Sequence, residues 1–180
     1  MIYVQKLKTI KAENKSPLRR KDVKKMDVKQ NAFLSSFNLY NQYNFDHRIP
    51  QSDNWISLPK DGDINFRLSF SVNFSHDMFH LLQDQNTTYY LYVSVFPASI
   101  KPSIYLSQQY AKVPTYGDVN FAFGFNDLPI EISNNLIKAN NINSIDIQLA
   151  LSQSTQEDLN FDSSILQNCF FETVFPLVEE

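Results

Sequence analysis

Two histidines stand four residues apart in His76-Asp77-Met78-Phe79-His80, with Asp84 one turn further on. On a helix, positions i and i+4 share a face, so both imidazoles can turn toward one metal ion. The segment is not the zinc-protease motif, which places a glutamate directly after the first histidine. Zinc also takes three or four ligands. The simpler reading is a short surface helix over residues 76–84 with Phe79, Leu81 and Leu82 facing inward. No metal is expected, and His76, His80 and Asp84 come nearest to a ligand set. Asp61-Gly62-Asp63 brings two carboxylates but none of the further positions of a calcium loop, and it reads as a turn. Asp46-His47-Arg48 reads as a polar loop ahead of Pro50. Cys169 precedes Phe170 and Phe171, with no cation nearby to favour a thiolate, so it reads as a buried structural thiol.

What is absent narrows the chemistry further. One cysteine excludes an intrachain disulfide, and three glycines leave no room for a Gly-rich phosphate-binding loop. No nucleophile stands in a recognisable pattern with a base. The expectation is a protein that is not an enzyme, with no cofactor and no small-molecule substrate.

The charges are unevenly spread. Residues 1–30 carry ten bases against three acids, a balance of +7, while residues 31–180 carry six bases against sixteen acids, a balance of −10. The arm residues Lys6, Lys8, Lys11, Arg19, Arg20, Lys21, Lys24 and Lys25 are the candidates for contact with a polyanion or a neighbouring subunit. Apolar residues in the arm are scattered and cannot build a core. Ordering its backbone costs ~1–2 kcal/mol per residue, which a surface outside the arm must offset. The start Met1-Ile2-Tyr3-Val4 runs into lysines rather than the apolar run of a signal peptide, so synthesis in the cytoplasm of whatever makes the chain is the expectation.

The elements that position these residues are strands. The chain has 180 residues, 43% of them hydrophobic and 14% aromatic, enough for one sizeable core. From residue 33 the dominant period is two. Phe33, Phe37, Leu39, Tyr43 and Phe45 are assigned to one face of a long first strand. Trp55 to Leu58 form a short apolar piece closed by Pro59. Ile64, Phe66, Leu68, Phe70, Val72 and Phe74 alternate with polar residues without exception. Residues 89–96 are apolar on both faces, which predicts a central strand or one buried in an interface. Residues 103–107 are a short candidate ahead of a Gln-rich loop. Val119, Phe121, Phe123 and Phe125 alternate, as do Ile145, Ile147, Leu149 and Leu151. The last strand is expected over residues 169–175, stopped by Pro176. Helices are expected over residues 127–140, with Pro129 near the start, and around the capping-box pattern Thr155-Gln156-Glu157-Asp158.

About eight strands with short inserted helices predict an all-β chain: a basic N-terminal arm over residues 1–30 and a single jelly-roll-like β-sandwich over residues 31–180. Tight-hairpin barrels need more Gly-containing turns than this chain has.

In layout the chain resembles the single jelly-roll capsid proteins of icosahedral viruses. The features that carry the resemblance are the basic arm from Lys6 to Lys29, the missing signal peptide and the eight-strand body; no sequence motif is involved. The resemblance implies a virion protein whose arm lies on the inner side of a shell. There it would meet neighbouring subunits, membrane or genome. A balance of +7 is modest for condensing nucleic acid, which carries one charge per phosphate. The expectation is therefore a minor or vertex (penton-type) subunit, as in tailless membrane-containing phages. It would be a homo-oligomer, a pentamer among the forms allowed, partnered by other capsid proteins. The competing expectation is a phage receptor-binding or lectin-like sandwich presenting loop 107–118, with Gln108, Gln109, Tyr110 and Tyr116, to a glycan.

Overall fold

A computed structural model describes residues 28–41, 52–82, 88–98, 105–113, 122–153 and 167–179. Among these residues eight strands form two sheets. One sheet has three strands: β1 (Ala32–Asn41), β3 (Ile64–Phe74) and β6 (Ala122–Ile132), in the order β1-β3-β6, all antiparallel. The other has five: β2 (Ile56–Leu58), β4 (Tyr90–Pro97), β5 (Ser107–Lys112), β7 (Ser144–Ser152) and β8 (Cys169–Glu179), in the order β2-β8-β7-β4-β5. All its pairs are antiparallel except β2 with β8. Among the described residues there are three short helices: α1 (Val28–Asn31) ahead of β1, α2 (His76–Leu82) between β3 and β4, and α3 (Asn134–Ala139) between β6 and β7. The chain is an all-β sandwich.

The core lies between the sheets. β3 alternates as its sequence predicts: Ile64, Phe66, Leu68, Phe70, Val72 and Phe74 are buried, while Asn65, Ser69 and Ser71 are more exposed. Opposite stand Leu91, Val93 and Val95 of β4 and Ile145, Ile147, Leu149 and Leu151 of β7, all at most 1% exposed. Side chains from facing sheets interdigitate in this way in any sandwich. Phe37 of β1 bridges the layers, with its ring centroid 4.9 Å from that of Phe171 on β8.

Three bulges, in β1, in β6 and at Phe170 of β8, interrupt the pairing, and the first two reset which residues face inward. In β1 the extra residue is Ser35, between Leu34 paired with Val72 and Ser36 paired with Ser71. Before it the even residues Ala32 and Leu34 point in; after it the odd residues Phe37, Leu39 and Asn41 do. Phe33 therefore faces solvent, 51% exposed, and is not part of the core face assigned to it. Its expected companions Tyr43 and Phe45, and Phe121 of the later ladder, lie outside the described residues.

The second bulge explains the misplaced helix. Leu68 pairs with Leu128 and Phe70 with Phe125, so Asn126 and Asp127 together oppose Ser69. The inward parity passes from Phe123 and Phe125 to Leu128, Ile130 and Ile132. A strand that changes parity mimics a broken period, and residues 127–132 continue β6 rather than start a helix. Pro129 is tolerated because β6 is an edge strand. Only residues 134–139 of the expected helix are helical. Close to the same bulge, Gly124 lets β6 approach β3: a Cβ there would lie 2.0 Å from the Phe70 carbonyl oxygen.

Two strand limits also move. β5 is the Gln-rich segment itself, Ser107–Lys112, instead of residues 103–107. It is polar because it is an edge with little to bury. β8 runs through Pro176 to Glu179. Pro176 stands opposite Ser144, the first residue of β7, and pairing with β2 begins only at Leu177, so the missing N–H breaks no ladder. The expected capping-box helix at residues 155–158 lies outside the described residues.

Candidate functional site on the outer face of the five-stranded sheet

The face of the larger sheet turned away from the core is built by the alternate residues of four strands. Register aligns Gln108 of β5, Ser94 of β4, Gln148 of β7 and Glu172 of β8 in one row across the sheet. A second row holds Tyr110, Tyr92, Ala150 and Cys169, and a third holds Phe96, Asp146 and Val174. The middle of this face is not solvated. Ser94 is 1% exposed, Gln148 7% and Asp146 8%. Alternation with Ile145, Ile147 and Leu149 sets Asp146 and Gln148 on the side of β7 away from the core, and yet both are buried. Period two locates a face but does not reveal what covers it.

Buried polar atoms need partners, and most here are supplied within the sheet. Gln108 Nε2 donates to Ser94 Oγ at 3.1 Å, and Gln148 Nε2 donates to Asp146 Oδ2 at 2.7 Å. Asp146 Oδ1 is buried and accepts no hydrogen bond among the described residues. Burial pushes the Asp146 carboxyl up from its ordinary 3.8 to about 6; the Gln148 bond pulls it down, and the neighbouring charge of Glu172 pushes it up again. Asp146 and Glu172 lie diagonally across β7 and β8, close enough for the second carboxylate to act on the first.

Beside the carboxyls is an aromatic cluster. Tyr92 is fully buried, and Tyr110, 45% exposed, meets it at 5.4 Å between centroids and meets Tyr90 edge-on at 5.8 Å. Phe96 packs on Tyr105 at 4.8 Å. The doubly apolar segment at 89–96 is thus explained inside one chain: β4 lies between β5 and β7 and is buried on both faces. Its apolar character needs no neighbouring subunit.

The candidates from the sequence fare differently. The arm residues Lys6, Lys8, Lys11, Arg19, Arg20, Lys21, Lys24 and Lys25 lie outside the described residues, as do Asp84, His47 and Tyr116. Val28, within the stretch assigned to the arm, is buried in the core and opens α1. His76 and His80 do come together, with Nε2 atoms 2.9 Å apart on the exposed side of α2. Inward from that helix point Met78 and Leu82, with Phe79 half-buried. Gly62 takes a positive φ of 85°, as a turn requires, and Asp63 Oδ1 accepts the Asn134 N–H at the start of α3. Cys169 is half-buried rather than buried, its Sγ donating to the Phe171 carbonyl at 3.1 Å. Gln108 and Gln109 lie on a strand, not in a loop, and Gln109 Nε2 donates to the Pro129 carbonyl of β6 at 2.7 Å, tying the two sheets at that edge. Arg67 pairs with Asp127 across the outer face of the smaller sheet, an exposed pair of small energetic weight.

A scan against models of known protein families found no match. A search of curated proteins likewise found none.

Proposed function

We propose that this chain is a structural subunit of a viral shell, of the minor or vertex (penton-type) kind, with its basic arm on the inner side. The observation that carries the reading is the pairing pattern of the body. A single jelly roll, made by rolling up a long hairpin, requires β4 beside β5, β3 beside β6 and β4 beside β7 at its centre. All three pairings occur here. The departure is β8. In a jelly roll it separates β1 from β3; here it lies between β2 and β7, and β1 pairs β3 directly.

Support of a second kind comes from charge. A body of balance −10 joined to an arm of +7 is polarised along the sequence. Such a subunit can hold neighbours, an anionic membrane or genome with one end while its body packs laterally. The competing glycan-binding reading loses support, because the Gln108 and Gln109 amides both donate to the protein's own atoms.

The test is assembly of the purified full chain, followed by light scattering and electron microscopy. Rings or shells are expected, and replacing Arg19, Arg20, Lys21, Lys24 and Lys25 by Gln should weaken binding to nucleic acid or anionic vesicles and flatten its salt dependence. A monomer at every concentration that binds glycans would overturn the shell reading. A charge-neutral arm that still assembles would leave the shell and remove the polyanion.

A further inference from the structure

We propose that His76 and His80 form a two-nitrogen chelate for a divalent transition-metal ion of tetragonal preference, copper(II) or nickel(II). The inference rests on α2 alone and is independent of the shell reading.

The helix holds the pair in place from its inner side. Ser75 caps it: its Oγ accepts the Met78 N–H at 3.2 Å and donates to Asn31 Oδ1 at 2.6 Å, which fastens the start of α2 to the end of α1. Met78 and Leu82, four residues apart, are buried. That anchors one face of the helix and turns the opposite i and i+4 positions, His76 and His80, to solvent. The rings stand edge to face, with centroids 4.3 Å apart and planes at 83°.

The distance between the nitrogens matches one coordination geometry. Nitrogens in adjacent positions of a tetragonal or octahedral ion, each about 2.05 Å from the metal at a right angle, are about 2.9 Å apart; a tetrahedral ion spreads them to about 3.3 Å. The observed Nε2–Nε2 separation is 2.9 Å. Without a metal, one ring donates its Nε2 proton to the other. Coordination needs both lone pairs, so the donor ring changes tautomer and carries its proton on Nδ1; at a pH where both rings are neutral no proton leaves the pair. Both histidines are exposed to solvent. Among the described residues no third His, Cys, Asp or Glu completes a group around the pair. The pair is exposed on a helix held by Ser75, Met78 and Leu82, so the metal is not required for folding.

The test is calorimetric titration of the untagged full chain with copper(II), nickel(II) and zinc(II) chlorides at neutral pH, together with electron paramagnetic resonance of the copper form. The expected result is one copper per chain, a spectrum with two nitrogen ligands, and nickel bound more tightly than zinc. His76→Ala and His80→Ala should each lower copper affinity at least tenfold without changing thermal unfolding. His47→Ala, which alters the only other histidine, should leave it unchanged. Equal copper affinity in parent and both helix variants would overturn the site. Zinc bound more tightly than nickel would overturn the tetragonal assignment.

Discussion

Asn41 and Asp53 close the edge of β1. The Asp53 carboxylate accepts both the backbone N–H of Asn41 at 2.9 Å and its side-chain N–H at 3.1 Å through the same oxygen, Oδ2. Asn41 also donates to the Trp55 carbonyl at 3.0 Å and accepts the Ser57 N–H at 2.8 Å. Asn41 is 1% exposed and lies at the end of β1, while Ser57 belongs to β2 of the other sheet. One carboxamide thus fastens the corner where the chain crosses between layers.

Removing that carboxamide takes away the acceptor of a buried N–H. Asn41→Ala is expected to cost about 2–4 kcal/mol in urea unfolding, and Asp53→Ala, at a half-buried position, about 1 kcal/mol. Equal and small losses would show that the corner is held by backbone pairing alone.

The bulge at Ser35 predicts opposite fates for two phenylalanines. Phe70→Ala should destabilise by about 3–5 kcal/mol through the cavity it leaves, and Phe33→Ala by no more than about 0.5 kcal/mol. Denaturant midpoints measure both. If Phe33→Ala costs as much as Phe70→Ala, β1 has no bulge and a single inward parity.

Asp146 gives stability a pH dependence of known sign. Burial raises its folded carboxyl to about 6, above the ordinary 3.8. Between those values the native protein holds a proton that the unfolded chain has released, so this contribution to stability falls as pH rises through the window and is level above it. Asp146→Asn should be more stable than the parent above about pH 6, with the advantage shrinking toward about pH 4. Parent and variant curves that run parallel over this range would mean that Asp146 titrates alike in the folded and unfolded chains.

Truncation can locate the true start of the body. Deleting residues 1–27 should leave thermal unfolding almost unchanged. Deleting residues 1–31 removes Val28 from the core and Asn31 from its bonds to the Ser75 N–H and hydroxyl. The further loss should be about 2–4 kcal/mol. Two truncations with the same melting temperature would place the boundary after α1.

The sequence made the sandwich legible wherever a strand keeps one parity. β3 is the clearest case, since eleven residues alternate without interruption and all six inward side chains are buried. β1 and β6 were misread because a single inserted residue reverses every later side chain while leaving composition unchanged. β5 was hidden for another reason: an edge strand buries little, so Gln108, Gln109 and Tyr110 look like loop residues. Asp146 and Gln148 were legible as one face of a strand but not as buried, because alternation marks a face without saying whether it is covered. Convergence of His76 and His80 was visible as spacing, and only the cap at Ser75 and the anchoring of Met78 turn spacing into geometry.

The placement of β8 governs when the protein can fold. β8 is the last of the eight strands to leave the ribosome, yet it lies inside the larger sheet between β2 and β7. Its pairing of Ile56 with Leu177 joins residues about 120 positions apart, which makes closure slow. Until β8 emerges, β7 has one open edge and β2 has no partner strand in its sheet. A prematurely terminated chain would keep that edge open and be drawn to aggregation or proteolysis. Completion of the sheet is thus a check on translation, passed only by chains synthesised to the end of β8.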